Sequence, residues 1–191
     1  MANMASVAYA IEGPKESLEQ IQQAVIKGMD TNKDYWTEYK VCEALGFDFN
    51  TLDTTRLGGS IEEEPYFNDD GSLTIHAEER WGLQGFCDLL EAKFPDIKIY
   101  WIVEESGCEV YCTNDKEGKH FPDRYYCELC QDDFSDYEYF KTEEAMYNWL
   151  SEKTQGRVHN AETAEQFNQD YEETGDECEN YITIHQFEVV D

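Results

Sequence analysis

Apolar residues recur along the chain with two spacings, which predict strands and helices respectively. From residue 5 to 12 larger apolar side chains alternate with small ones, which predicts a strand. After Pro14 the apolar positions are spaced by three and four residues, which predicts a helix ending near Gly28: Leu18, Ile21, Val25 and Met29. A second helix is predicted over about 34–46, where Gly46 can adopt a left-handed cap.

The central part of the sequence combines turn signals with both spacings. Asp70-Gly71 separates two extended stretches and predicts a tight hairpin. A helical repeat follows from Leu83 to Phe94, and Pro95 ends it. A second hairpin is predicted around Ser106-Gly107, and PDRYYCEL and DYEYF predict two further strands.

The C-terminal region predicts two helices and a strand. Thr142 and Asn160 are suited to cap the two helices, the second of which is expected to end at Gly175. Alternation from Tyr181 to Val190 predicts a closing strand. Strands joined by short hairpins imply an antiparallel sheet with helices on one face, so the predicted fold class is α+β. We expect a core domain over 1–140, with the extra helix at 34–46, and an acidic helical extension over 141–191 that packs on the same domain.

The charge of the chain indicates a strongly acidic surface. The sequence has 43 acidic and 14 basic residues, giving a formal net charge of −29. Phosphate backbones and anionic lipid surfaces both attract basic side chains, so direct binding to nucleic acid or to a membrane is disfavoured. A basic protein partner, including one that normally holds nucleic acid, fits the charge. Solubility or a bound divalent cation would fit it as well.

The acidic residues are concentrated in runs, which the sequence predicts to form an interaction surface. A solvated face without a partner is the alternative. A narrower hypothesis is that the carboxylates imitate the phosphates of DNA, for which they would have to lie in rows. The residues of the predicted surface are Glu62, Glu63, Glu64, Asp132, Asp133, Asp136, Glu172, Glu173, Asp176 and Glu177.

Four cysteines and a histidine lie within residues 108–130 and raise the question of a metal site. In a regular strand Cys108 and Cys112 share the core face but lie about 13 Å apart, too far to chelate one ion. Cys127 and Cys130 would point to opposite faces. A zinc site would therefore require a loop that brings together Cys112, His120, Cys127 and Cys130. Buried thiols that behave as apolar side chains are the simpler interpretation, and no cofactor is expected.

The sequence offers no recognised catalytic motif. None of its four histidines lies in a nucleophile elbow or a zinc-protease pair, and no glycine-rich phosphate loop is present. A non-enzymatic protein is therefore favoured, with a hydrolase that uses a small pocket near His76 or Cys108 as an alternative. The N-terminal residues lack a secretory pattern, and the odd number of cysteines suits a reducing compartment, so we expect a cytoplasmic location.

Residues 72–113 read SLTIHAEERWGLQGFCDLLEAKFPDIKIYWIVEESGCEVYCT. This order of strand, tryptophan, helix, FPDIKI, strand and strand resembles the ferredoxin-like domain of the YubB type, found in uncharacterised proteins of plasmids, phages and their bacterial hosts. The resemblance implies a βαββαβ sheet with helices on one side, no iron–sulfur cluster and no catalytic residues. The matching positions are Trp81, Phe86, Leu90, Phe94, Pro95, Asp96, Glu105 and Gly107.

Overall fold

The chain forms two compact units, 1–116 with 189–191 and 117–188. The computed structural model describes residues 3–29, 36–53, 55, 57–61, 63–80, 82, 85–131, 134–174 and 180–190. Both units combine helices with antiparallel strands, which confirms the predicted α+β class. The second unit contains the strands predicted at PDRYYCEL and DYEYF, whereas the sequence predicts a domain that includes them and ends at 140.

The first unit is built on an antiparallel sheet in which the order of the principal strands is β6-β5-β1-β4-β2. The central strand β1 pairs with both β4 and β5 in antiparallel register. Taken alone, β5-β1-β4-β2 is the strand order of a ferredoxin-like split β-α-β sheet. The strands are β1 (Met4–Glu12), β2 (Gly59–Ser60), β3 (Tyr66–Phe67), β4 (Leu73–Arg80), β5 (Lys98–Glu105) and β6 (Val110–Thr113).

Three helices belong to this unit, and their apolar side chains share one core with the sheet. They are α1 (Lys15–Met29), α2 (Thr37–Ala44) and α3 (Gly85–Lys93). The helix-spaced residues Leu18, Ile21 and Val25 are buried against the strand residues Val7 and Ile11. The periodicities that predicted these elements therefore also define the faces that meet in the core.

The second unit is a three-stranded antiparallel sheet with two helices. Its strand order is β8-β7-β9, and a core of side chains from α4, α5 and one face of the sheet holds it together. The elements are β7 (Tyr125–Gln131), β8 (Phe134–Phe140), α4 (Glu143–Lys153), α5 (Ala161–Thr174) and β9 (Tyr181–Gln186). The C-terminal helices thus pack on a sheet that belongs to their own unit.

Several local predictions are confirmed. Thr142 Oγ1 accepts the N–H of Ala145 at 3.2 Å, and Asn160 Oδ1 accepts the N–H of Thr163 at 2.9 Å, so both predicted caps are present. Gly71 has a φ of +85° in the predicted hairpin. Gly46 has a φ of +77° after α2.

Two predictions need correction, and a third lies outside the described residues. The closing strand is divided at Phe187: β9 belongs to the small sheet, whereas β10 (Glu188–Val189) joins the sheet of the first unit. Cys108 is exposed in a 3-10 turn rather than on the core side of a strand, because the left-handed backbone of Glu109 (φ 56°) delays the strand until Val110. The helix end predicted at Gly175 falls outside the described residues.

Candidate functional site

The small sheet of the second unit presents aromatic side chains on the face opposite its helices. Cys127 and Leu129 of β7 face the core, so Tyr126 and Glu128 face the other way. The strand register places Tyr139 of β8 opposite Tyr126. It places His185 of β9 opposite Tyr126 on the other side. We call this the tyrosine face: Tyr126, Glu128, Tyr137, Tyr139 and His185.

Tyr126 is at the centre of the tyrosine face. Its ring centroid lies 5.1 Å from that of Tyr139, 6.0 Å from that of Tyr137 and 6.1 Å from that of His185. The rings of Tyr126 and His185 are stacked at 25°. Tyr137 is 62% exposed, the largest exposure among the big apolar side chains of the described chain. Aromatic side chains that pair with one another and still meet solvent form a flat surface that a partner can cover.

A carboxylate lies within this aromatic surface. Glu128 is directly opposite Tyr137 on β8 and Thr183 on β9. Its Oε1 lies 3.4 Å from Ser135 Oγ and 3.8 Å from Cys130 Sγ. The second unit as a whole has 19 acidic and 5 basic residues, so the field around the face is strongly negative.

Side chains close part of each edge of the small sheet. On β8, the N–H groups of Tyr137 and Tyr139 each donate at 3.0 Å to the carboxylate of the preceding residue, Asp136 or Glu138. On β9, Asn168 of α5 bonds both the N–H and the C=O of Ile182. These bonds occupy backbone groups that an added strand would need, so the face is better placed than the edges to receive a partner.

The structure describes only part of the acidic surface predicted from the sequence. Glu63 and Glu64 are exposed in the first unit. Asp136 lies on the helix side of the small sheet, where its Oδ2 is 2.7 Å from Lys153 Nζ. This bond lowers the pKa of the Asp136 carboxyl. Glu172 and Glu173 lie in α5, and the other residues of that surface fall outside the described residues: Glu62, Asp132, Asp133, Asp176 and Glu177.

The residues of the alternative zinc site are distributed over both units. Cys112 belongs to the first unit, and His120, Cys127 and Cys130 belong to the second. Cys127 is buried in the core while Cys130 faces the other side of β7, as predicted for a CxxC in a strand. Within the described part of the chain, no group of three or more His, Cys, Asp or Glu side chains is arranged to hold a metal ion.

A second cluster of titratable groups lies inside the first unit. Glu38 of α2 and Glu79 of β4 are 0% and 1% exposed. Glu38 Oε2 accepts the N–H groups of Gly58 and Gly59 at 3.0 and 2.9 Å. Burial raises the pKa of Glu38 to about 7 and that of Glu79 to about 8. Because both carboxyls are withdrawn from solvent, they are not placed to touch a substrate.

A small cavity beside His76 bears on the hydrolase alternative. It measures about 150 Å³ and is lined by Ser6, Ser60, Glu63, His76, Ala77 and Glu78. Ligand sites usually measure about 300–1,000 Å³, so it is small for an organic substrate. The hydrogen bond described for the His76 ring is to the Tyr66 hydroxyl at 3.4 Å, which orients the ring without activating a nucleophile.

The two clusters differ in how far the sequence could have shown them. Alternation in YYCELC places Tyr126 on the face away from Cys127, and alternation in DYEYF places Tyr137 and Tyr139 on the face away from Phe140, so these halves of the tyrosine face could have been read from the sequence. Glu38 and Glu79 are 41 residues apart, and each is surrounded in the sequence by other polar residues. They come together because β2 pairs with β4 and Glu38 binds the N–H groups of Gly58 and Gly59.

No protein-family model, curated protein or solved structure matches this chain. None of the helices in the described residues combines the length and apolar character of a membrane span.

Proposed function

We propose that the protein is a non-enzymatic binding protein whose tyrosine face receives an arginine-bearing segment of a basic protein partner. The observation that carries this proposal is the carboxylate of Glu128 among the rings of Tyr126 and Tyr137, within a unit of 19 acidic and 5 basic residues. A guanidinium stacks on aromatic rings and forms paired hydrogen bonds to a carboxylate. Lysine can supply the charge but not this planar geometry.

The closed edges of the small sheet support docking on the face. A partner that added a strand would have to displace Asp136 and Glu138 on one edge or Asn168 on the other. Docking on the face leaves those hydrogen bonds intact. It also covers Tyr137, which is otherwise mostly exposed.

DNA mimicry is a narrower form of the same proposal. It is supported by exposed carboxylates along α5, where Glu165 and Asp170 accept hydrogen bonds from Gln169 and Gln166. In this form the partner is a DNA-binding protein from the host of a mobile element. The β5-β1-β4-β2 strand order supports the related proposal that the chain belongs with YubB-type ferredoxin-like domains.

The first test compares two peptides of equal length and charge, one rich in arginine and one rich in lysine, for binding to the full chain. The arginine peptide should bind more tightly, and Tyr137→Ala should weaken its binding by about tenfold because a cation–π contact contributes about 0.5–2 kcal/mol. Tyr66→Ala is the matched control, since Tyr66 is also exposed (48%) but belongs to the first unit. Equal binding of both peptides, or equal losses in both variants, would count against the tyrosine face.

The second test identifies the partner. The wild-type chain and its Tyr137→Ala variant are each immobilised and exposed to lysate at low and high salt. A basic protein retained by the wild type alone, and released by salt, supports the proposal. Release of that protein by duplex DNA supports mimicry, whereas retention in the presence of DNA restricts the proposal to ordinary protein binding.

A further inference from the structure

Two buried carboxyls of the first unit meet at a glycine. Glu38 lies in the first turn of α2, and Glu79 lies on β4 directly opposite Gly59 of β2. A Cβ built on Gly59 would overlap the Glu38 carboxyl and lie 2.9 Å from Glu79 Cγ. The Glu38 carboxyl and the Glu79 side chain therefore occupy the space that a side chain at position 59 would fill.

The hydrogen bonds of this pair are unevenly distributed. Glu38 Oε2 accepts the two glycine N–H groups described above, whereas Oε1 of Glu38 and Oε1 of Glu79 are buried without a hydrogen-bond partner among the described residues. A buried carboxylate without a partner costs several kcal/mol, and a second negative charge nearby increases that cost. A proton on the pair removes one charge and supplies a donor.

Among the described residues, the other titratable groups that face the pair do not neutralise it. Cys42 on α2 and Cys87 on α3 face it as neutral thiols, because burial raises the pKa of both. Asp88 and Glu91 on α3 act on the Cys87 thiol. Arg80 follows Glu79 on β4, where strand alternation directs its side chain to the opposite face, and its Nη2 donates to the Thr55 carbonyl.

We propose that Glu38 and Glu79 together hold at least one proton at neutral pH, and that separating α2 from the β2–β4 ladder releases it. The first unit would then be more stable at mildly acidic pH, because the folded state keeps a proton on this pair. This inference does not depend on the proposed binding function, because the pair lies in the core of the first unit.

The sign of the pH dependence follows from the direction of both pKa shifts. Burial raises the pKa of Glu38 from 4.5 to about 7 and that of Glu79 from 4.5 to about 8. Below about pH 4.5 the folded and unfolded chains both hold these protons, so the stabilisation is complete. As the pH rises towards 7–8 the unfolded chain has already lost them, and the stabilisation decreases until the folded pair also ionises.

The experiment compares Glu79→Gln with Glu78→Gln. Both variants replace one glutamate of β4 with glutamine, but Glu78 is exposed on the other face of the strand. Infrared spectroscopy of the wild type near pH 7 should show the band of a protonated carboxyl, and that band should weaken in Glu79→Gln and persist in Glu78→Gln. The equilibrium constant for unfolding should also depend on pH near pH 6. Each pH unit should raise this constant about tenfold more in the wild type than in Glu79→Gln, because unfolding of the wild type releases one additional proton.

Three results would overturn the proposal. The first is a wild-type spectrum at pH 7 without a protonated carboxyl, which decides the matter even if Glu79→Gln does not fold. The second is an identical pH dependence of unfolding in the two variants. The third is stabilisation of the wild type, but not of Glu79→Gln, by Mg²⁺ or Ca²⁺, because a cation would then take the place of the proton.

Discussion

Asn168 of α5 pairs with the backbone of Ile182 in β9 through two hydrogen bonds. Its Nδ2 donates to the Ile182 carbonyl at 2.9 Å, and its Oδ1 accepts the Ile182 N–H at 2.8 Å. The amide thus continues the hydrogen bonding of the sheet beyond its last strand. The same contact joins the helix to the sheet of the second unit.

Replacing Asn168 with Ala should destabilise the second unit by about 1–3 kcal/mol, because a donor and an acceptor of β9 lose their partner. Hydrogen exchange of the α5 and β9 amides under native conditions, followed by mass spectrometry, measures the loss in this unit. Gln169→Ala is the control, since Gln169 is exposed and bonds only within its helix to Glu165 in the described contacts. Equal stabilities of the two variants would show that the amide pair contributes nothing.

On the opposite edge of the sheet, formed by β8, we expect a substitution to change self-association rather than stability. Glu138→Ala removes the carboxylate that accepts the N–H of Tyr139, which an added strand would otherwise have to displace. We expect the variant to self-associate at concentrations where the wild type does not, as measured by sedimentation velocity. Glu152→Ala removes the same charge from an exposed helical position and should behave like the wild type.

Local patterns predicted most of the elements, whereas their assembly into two units depended on long-range pairing. Thr142, Asn160, Gly46 and Gly71 act through neighbouring residues, so their roles could be read from the sequence. The division of the final strand at Phe187 could not, because continuous alternation does not specify which sheet each half joins. The burial of Glu38 was also hidden, since its partners are glycine amides 20 and 21 residues away.

The thiols should differ strongly in reactivity. Burial raises the pKa of Cys42 and Cys127 to about 12 and also raises that of Cys87, so these three should resist alkylation in the native protein at pH 8. Cys108 is exposed and should react first, although a hydrogen bond to Glu105 raises its pKa and slows the reaction. Peptide mapping by mass spectrometry after a short pulse of iodoacetamide identifies the labelled sites. Labelling of Cys127 at the rate of Cys108 would contradict the described core.

The last prediction concerns the glycine between the two buried carboxyls. In Gly59→Ala the added methyl group would overlap the Glu38 carboxyl, which is held in place by two backbone N–H groups and cannot withdraw without losing them. Overpacking of this kind costs about 1–3 kcal/mol. In Gly58→Ala the methyl group would instead meet Nε of Arg80 at 3.2 Å and Cβ of Arg80 at 3.3 Å, which is less close than the overlap at position 59. Thermal unfolding should therefore show a larger loss for Gly59→Ala than for its neighbour. A loss of the same size in both variants would mean that the Glu38 carboxyl is free to move. It would contradict the close packing of α2 against β2 at Gly59.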